Sequence, residues 1–211
     1  MDTGMPGVPA ESNGRNYFRY GQKEISHLKR VCPKLSDTID KKGILVREVV
    51  PDLFTALISS VTAQQISGKA AETIWRRFSE LVGEITPERI LAVNPEDIRK
   101  CGISGRKTEY ITGIAKAAAE GEISFDALRT MEDSEVIAKL SSLRGVGVWT
   151  AEMLLIFSLQ RPDVLSWGDL AIKKGIMKLY GLESLSKEEF EEYRKLFSPY
   201  NSVASLYLWE I

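Results

Sequence analysis

Short helical patterns, several with their own start or stop signal, follow one another from Pro51 to the end of this chain. "PDLFTALISSVTA" opens with Pro51 at a first-turn position and lines up Leu53, Phe54, Leu57, Ile58 and Val61 at helical spacing. "SGKAAETIWRRFSELVG" starts at Ser67 as a capping residue, stripes Ala71, Ile74, Trp75, Phe78 and Leu81, and stops at Gly83. "TPERILAV", "NPEDIRKCG", "RKTEYITGIAKAAAEG" and "DSEVIAKLSSL" repeat the scheme. So do "VWTAEMLLIFSL", "DLAIKKGIMKLYG", "SKEEFEEYRKLF" with a capping box of Ser186 and Glu189, and "NSVASLYLWEI". Helices this short cannot form one long bundle; they bury their stripes by packing in many pairs. "GILVREVV" (Gly43–Val50) is the one short β-rich run, and Pro51 ends it. The expected fold is all-α, with about ten short helices in two helical lobes. One lobe covers about 51–165 and the other combines 17–50 with 166–211, with a cleft between them as the place for a site. "MDTGMPGVPAESNGRN", residues 1–16, is Gly/Pro/Ser/Asn-rich, lacks an apolar signal core, and reads as a flexible tail.

Composition excludes several chemistries. The two cysteines, Cys32 and Cys101, stand in unrelated contexts, so neither a disulfide framework nor a zinc or iron–sulfur cluster is expected. Free thiols fit a reducing, intracellular compartment. His27 is the only histidine, which removes His-dependent triads and multi-His metal sites, and it reads as a helix-surface or hydrogen-bonded residue. No apolar run approaches the roughly 20 residues of a membrane span, so no membrane partner is expected. The formal net charge of −1 means that any nucleic-acid contact must be local.

One such local feature stands in "SSLRGVGVWTAEMLL". It reads as helix, tight turn, helix. Gly145 and Gly147 can take positive φ, and the N–H groups of Gly147, Val148, Trp149 and Thr150 then point outward at a helix start. Amides and dipole together attract a phosphate without high net charge. An ordinary turn between antiparallel helices has the same pattern. Further on, Asp169 follows Trp167 and Gly168 and precedes "LAIKKGIMKLYG". It occupies an N-cap position, where amides and dipole favour the charged carboxylate. It is either only a cap, or a carboxylate placed to stabilise a cationic, sugar-like transition state. Arg99, Lys100, Arg106 and Lys107 form a basic cluster that either meets backbone phosphates or is solvated loop. Trp75 and Phe78 read as core.

"LRGVGVWTAEM…WGDLAIKK" resembles the helix–hairpin–helix, Gly/Pro-rich loop and Asp signature of the HhH-GPD superfamily of DNA base-excision glycosylases, in its 3-methyladenine DNA glycosylase II branch. "LISSVTAQQISGKAA" resembles that branch's helix–turn–helix beside the damaged base, and "SPYNSVASLYLWEI" its C-terminal helix. The resemblance covers about residues 40–211. It implies Asp169 as the catalytic carboxylate and a base pocket of Trp149, Trp209, Gln64 and Met153. Trp209 reads equally well as a C-terminal core anchor. The resemblance places the DNA grip at Gly145, Gly147, Val148, Thr150 and Arg144, the last standing where the family has Pro. It places the wedge into the DNA gap at Val61 and Thr62, within a region running to Gln65. The backbone carbonyls of Ser141, Leu143 and Val146 match a monovalent-cation site, for sodium or potassium; no other cofactor is implied. Trp149 stands where bifunctional relatives carry a Schiff-base Lys, so hydrolysis without strand nicking is implied. Gly168 replaces a second Asp, and Met153 a residue that is often aromatic. The implied partner is double-stranded damaged DNA, met by a monomer in the cytoplasm (nucleoid) or nucleus. Alkylated purines are the implied substrates. Oxidised or deaminated purines, or DNA binding without catalysis, are the alternatives.

Overall fold

In a computed structural model of the chain, residues 7–8, 11–12 and 14–211 are described. They begin with β1 (Glu11–Ser12), β2 (Arg15–Tyr17), α1 (Gln22–Val31), α2 (Pro33–Lys42) and β3 (Glu48–Val49). Then come α3 (Leu53–Ala63), α4 (Gly68–Val82), α5 (Pro87–Ala92), α6 (Pro95–Lys100) and α7 (Gly105–Ala119). The chain continues with α8 (Phe125–Leu128), α9 (Asp133–Ser141), α10 (Val148–Phe157), α11 (Leu170–Tyr180), α12 (Lys187–Phe197) and α13 (Asn201–Leu208). The fold is thus mostly helical. The chain forms two compact units: Val50–Leu154 is one, and Met1–Val49 with Leu155–Ile211 is the other. The second division falls inside α10, whereas the sequence reading put it near residue 165.

The unit Val50–Leu154 is built on α3 and α7. Leu57, Ile58 and Val61 of α3 and Ile111, Ile114 and Ala115 of α7 are all buried. Helix starts follow capping chemistry. Thr55 N donates to Asp52 Oδ1 at 2.7 Å, so Pro51 lies before the cap and not in the first turn. Ser67 has the extended backbone of an N-cap, yet its hydroxyl makes no capping bond. Gly83 ends α4 with φ of 79°.

The other unit packs α11, α12 and α13 with α1 and α2. Every residue of α13 is buried, as expected of a helix surrounded on all sides. Gly175 makes this possible: a Cβ there would stand 2.4 Å from Leu208 O, so only glycine lets α11 lie this close to α13. The sequence places His27 on a helix surface, and α1 carries it; α2 follows where no helical stripe is traced. Gly21 N donates to Glu24 Oε2 at 2.8 Å to start α1, and Pro33 sits in the first turn of α2.

Two expectations about the N-terminal region are corrected. Residues 11–12 and 15–16 of the expected flexible tail lie in strands. These are β1 and β2 of a three-stranded antiparallel sheet, in the order β1-β2-β3, with Asn16 opposite Val49. Val8 N also donates to Tyr20 O at 3.0 Å. The rest of that tail, residues 1–6, 9–10 and 13, lies outside the described residues. The β-rich run Gly43–Val50 contributes only Glu48–Val49. Its first part is held by tyrosines instead: Leu45 N donates to Tyr20 Oη at 2.7 Å, and Tyr207 Oη donates to Gly43 O at 2.9 Å. Burial pushes both phenols above their ordinary range, which keeps them as donors. Cys32 and Cys101 are free and buried. Among the described residues no helix is long and apolar enough to cross a membrane.

Candidate active site

Asp169 caps α11. Its backbone is extended (φ −86°, ψ 111°), and its Oδ1 accepts from Ala171 N and Ile172 N, both at 2.9 Å. The residue is 7% exposed, an unusually buried place for an acid. Its position is set from two sides within its own unit. Gly175 lets α11 seat against α13. The loop leading to Asp169 is tied to α12 and α13: Asn201 Nδ2 donates to Asp163 Oδ1 at 2.6 Å, and Ser202 Oγ donates to Arg161 O at 2.6 Å and accepts from Val164 N at 3.0 Å. Arg194 Nη2 donates to Leu165 O at 2.7 Å. None of these supporting residues was picked out from the sequence. The signal was there in Asn201 and Ser202, polar residues at the start of a mostly apolar helix, because buried polar groups need partners.

Close by in the chain, Lys173 places its ammonium 4.5 Å from the Trp167 ring centre, while Lys174 is exposed. Trp209 ends α13 and stacks on Phe157 at 5.6 Å and 25°, so one face of its ring is already occupied. The adjacent Glu210 accepts from Lys42 Nζ at 2.8 Å and Arg47 Nη2 at 2.5 Å, and these cations hold its carboxyl below the usual range.

The hairpin between α9 and α10 lies in the other unit. Gly145 has φ of +90°, and a Cβ there would meet Tyr110 Cδ2 at 2.3 Å. Glycine is therefore required twice over, by backbone conformation and by the ring packed against it. Gly147 is different: it is not among the positive-φ glycines, and nothing lies within 4 Å of its Cβ position. The expectation of positive φ thus holds for Gly145 and fails for Gly147, which instead leaves open surface where α10 begins. Val148 and Trp149 are 54% and 43% exposed beside it, whereas Val146 and Thr150 turn inward. Arg106 and Arg144 flank Tyr110, with their guanidinium carbons 5.5 and 5.7 Å from its ring centre, and Arg106 Nε donates to the phenol oxygen. Arg99 and Lys100 are instead paired on the surface with Glu96 and Asp97 at 2.9 and 2.7 Å.

The α3–α4 turn is fastened to this hairpin. Gln64 Nε2 donates to Gly145 O at 3.0 Å. Lys107 Nζ donates to Thr62 O at 2.8 Å and Gln64 O at 2.5 Å, covering carbonyls that end α3, and burial lowers its pKa. Val61 and Thr62 are 0% and 1% exposed, and Thr62 Oγ1 donates to Ile58 O. Neither can act as a wedge, because both share the core stripe of α3 with Leu57 and Ile58. The outward tip is Gln65, exposed and with φ of +58°, together with the partly exposed Ile66. Lys107→Met should cost about 2 kcal/mol by leaving those carbonyls unpaired, a loss to be read from the urea midpoint.

Ser60, Ala63, Gln64, Gln65, Gly147, Trp149 and Thr150 line one groove of ≈ 490 Å³. It therefore gathers five residues singled out from sequence; Met153, half-buried on α10, is not among its lining residues. Beneath the hairpin, Leu143 O accepts from Val146 N at 3.1 Å, and Ser141 Oγ is buried without a hydrogen-bond partner. Among the described residues no cluster of His, Cys, Asp and Glu could hold a metal ion.

The chain is similar to proteins of known activity. The chain is 35% identical over 162 residues to DNA-3-methyladenine glycosylase 1 of Schizosaccharomyces pombe, covering 74% of this chain and 71% of that protein. A crystal structure of a DNA-3-methyladenine glycosidase from Bacillus halodurans superposes with a TM-score of 0.80 at 35% identity, over 98% of this chain and 92% of that one. The 3-methyladenine DNA glycosylase Mag1 of fission yeast, in complex with abasic DNA, gives a TM-score of 0.79 at 32% identity, over 90% and 96% of the two chains. The model of the HhH-GPD superfamily base excision DNA repair proteins matches residues 58–199, which take in the α3–α4 turn, the hairpin and Asp169, and the chain belongs to that superfamily.

Proposed function

We infer that this chain is a DNA glycosylase of base excision repair that removes alkylated purines of the 3-methyladenine and 7-methylguanine class. The relatives named for that activity support the reading. The observation that carries it is Asp169, a nearly buried carboxylate held by two amides at the start of α11 in a member of this superfamily. The target base must leave the stack to be reached. A negative charge fixed beside the sugar then stabilises the oxocarbenium-like transition state and orients water. The exposed Trp149 ring offers a stacking surface that favours an electron-poor, cationic purine. Such a base leaves readily, so a chain whose only histidine is His27 needs no strong general acid.

The partner we propose is damaged double-stranded DNA, bound by a monomer inside the cell, in the nucleoid or nucleus. The hairpin amides around Gly147 would hold a backbone phosphate, and Gln65 with Ile66 would fill the gap left by the base. The carbonyls of Ser141, Leu143 and Val146 are hard oxygen donors suited to sodium or potassium, and the unpartnered Ser141 hydroxyl in the same turn fits such an ion. They would hold it against the hairpin and lend positive charge near the phosphate. The chemistry itself needs no cofactor, so base release should persist in EDTA.

The test is base release from duplexes carrying single defined lesions: N3-methyladenine, N7-methylguanine, ethenoadenine, hypoxanthine and 8-oxoguanine. Alkylated purines should be released with intact abasic strands left behind. Release of only 8-oxoguanine or hypoxanthine would move the substrate class, and strand nicking would refute the monofunctional reading. Trp149→Ala should lower kcat/KM for the preferred lesion about tenfold, since stacking on an aromatic contributes about 1–3 kcal/mol per base. Unchanged kinetics would remove Trp149 from the pocket.

A further inference from the structure

A second polar pocket lies in the unit that carries Asp169. It measures ≈ 470 Å³ and is lined by Lys23, Ser26, His27, Arg30 and Tyr200. The first four sit on α1 at spacings of three, four and seven residues, so the helix presents them on one face. Every side chain in this lining can donate a hydrogen bond, and none is a carboxylate. Lys23 and Arg30 make no ion pair among the described residues, although many surface cations of this chain do: Lys29 with Asp40, Arg76 with Glu80, Lys195 with Glu192. Two cations thus line one pocket without an ion-pair partner among the described residues.

The imidazole sharpens the picture. Arg30 Nη2 lies 3.2 Å from His27 Nδ1. A guanidinium can only donate, so Nδ1 accepts and the neutral ring carries its hydrogen on Nε2. That Nε2 is buried and has no hydrogen-bond partner. Gln22 Nε2 donates to Ser26 Oγ at 2.9 Å, which leaves the hydroxyl hydrogen of Ser26 to be offered to a ligand. Tyr200 forms the wall, with its ring edge-on to His27 at 5.1 Å and 6.0 Å from Lys23 Nζ.

We propose that this pocket is an anion site for a phosphate group, held by Lys23 and Arg30 with Ser26 and Tyr200 as further donors and the His27 ring as part of its wall. A tetrahedral phosphate offers several acceptors to convergent donors and supplies the charge that the two cations lack. It has two sources: a phosphodiester of the DNA substrate, away from the hairpin, or a free phosphate-bearing molecule. Asp169 and the hairpin take no part in the site, so its test does not depend on base release.

Because His27 is the only histidine, its imidazole resonances report the site alone. Inorganic phosphate, titrated against sodium chloride of equal ionic strength, should shift the His27 Hε1 and Nε2 signals saturably, and Lys23→Gln should abolish the shift. Lys23→Gln leaves the Arg30–His27 bond in place, and an unchanged unfolding midpoint verifies the fold. The second arm measures duplex affinity against salt. If the phosphate belongs to DNA, Lys23→Gln with Arg30→Gln lowers the slope of log K against log salt by about 1. A His27 shift with an unchanged slope assigns the site to a free phosphate-bearing ligand. No saturable shift together with an unchanged slope overturns the proposal.

Discussion

Asp169→Asn should reduce base release from alkylated duplex DNA by about 10²–10³-fold, the scale seen when one preorganised electrostatic group is removed from a transition state. It should do so with almost no change in stability. Asn caps a helix about as well as Asp, and its amide oxygen can still accept from Ala171 N and Ile172 N. The substitution therefore separates the two roles open to this residue, since a cap survives it and a charge does not. Asp169→Ala provides the complementary loss: the cap goes as well, at about 1 kcal/mol, while activity falls to the same floor. The measurements are single-turnover base release and the urea midpoint. If Asp169→Asn excises at the normal rate, the carboxylate is a cap only and the charge stabilising the sugar must come from elsewhere.

Gly145→Ala should be the most damaging small substitution in the hairpin. The new methyl carbon would stand 2.3 Å from Tyr110 Cδ2, and the backbone would keep an L-residue at φ of +90°. Left-handed strain and overpacking each cost of order 1–3 kcal/mol, so about 3 kcal/mol together is expected. For a chain of this length that lowers Tm by roughly 6–12 °C. Tyr110 cannot simply step aside, because Arg106 and Arg144 flank it and Arg106 Nε holds its hydroxyl. Gly147→Ala should behave oppositely. Nothing lies within 4 Å of its Cβ position, so stability should change by less than about 1 kcal/mol. Its methyl would instead stand among the exposed amides, and affinity for abasic duplex should fall about tenfold, a change that fluorescence anisotropy would read. Equal stability of the two variants would show that the ring contact at Gly145 is readily relieved.

The contrast between these glycines shows what the linear pattern could and could not convey. "RGVGV" announces a tight turn, and either glycine could supply the positive φ. Which one does depends on Tyr110, thirty-five positions earlier in the chain, closing over Gly145. The wedge assignment to Val61 and Thr62 failed for a similar reason. Helical spacing alone says that Val61 joins the stripe of Leu57 and Ile58, but not where the helix stops. Lys107, reaching over from α7, covers the carbonyls of Thr62 and Gln64, and the outward tip is moved to Gln65.

Local chemistry was sufficient for many features that close on themselves within a few residues. The short helices, the Ser186–Glu189 capping box and the Asp169 cap are of this kind, because their partners lie two to four positions away. The sequence by itself therefore determined a mostly helical protein with a Gly-x-Gly hairpin and a capping acid. Only the tertiary structure decided that Asn201 and Ser202 hold the loop before that acid, and that Gly175 seats its helix against Leu208. It alone added the strands β1 and β2 and brought Lys23 and Arg30 into one pocket whose lining has no carboxylate. These are pairings between distant segments, and their stability comes from burial and polar satisfaction that no short window of sequence contains.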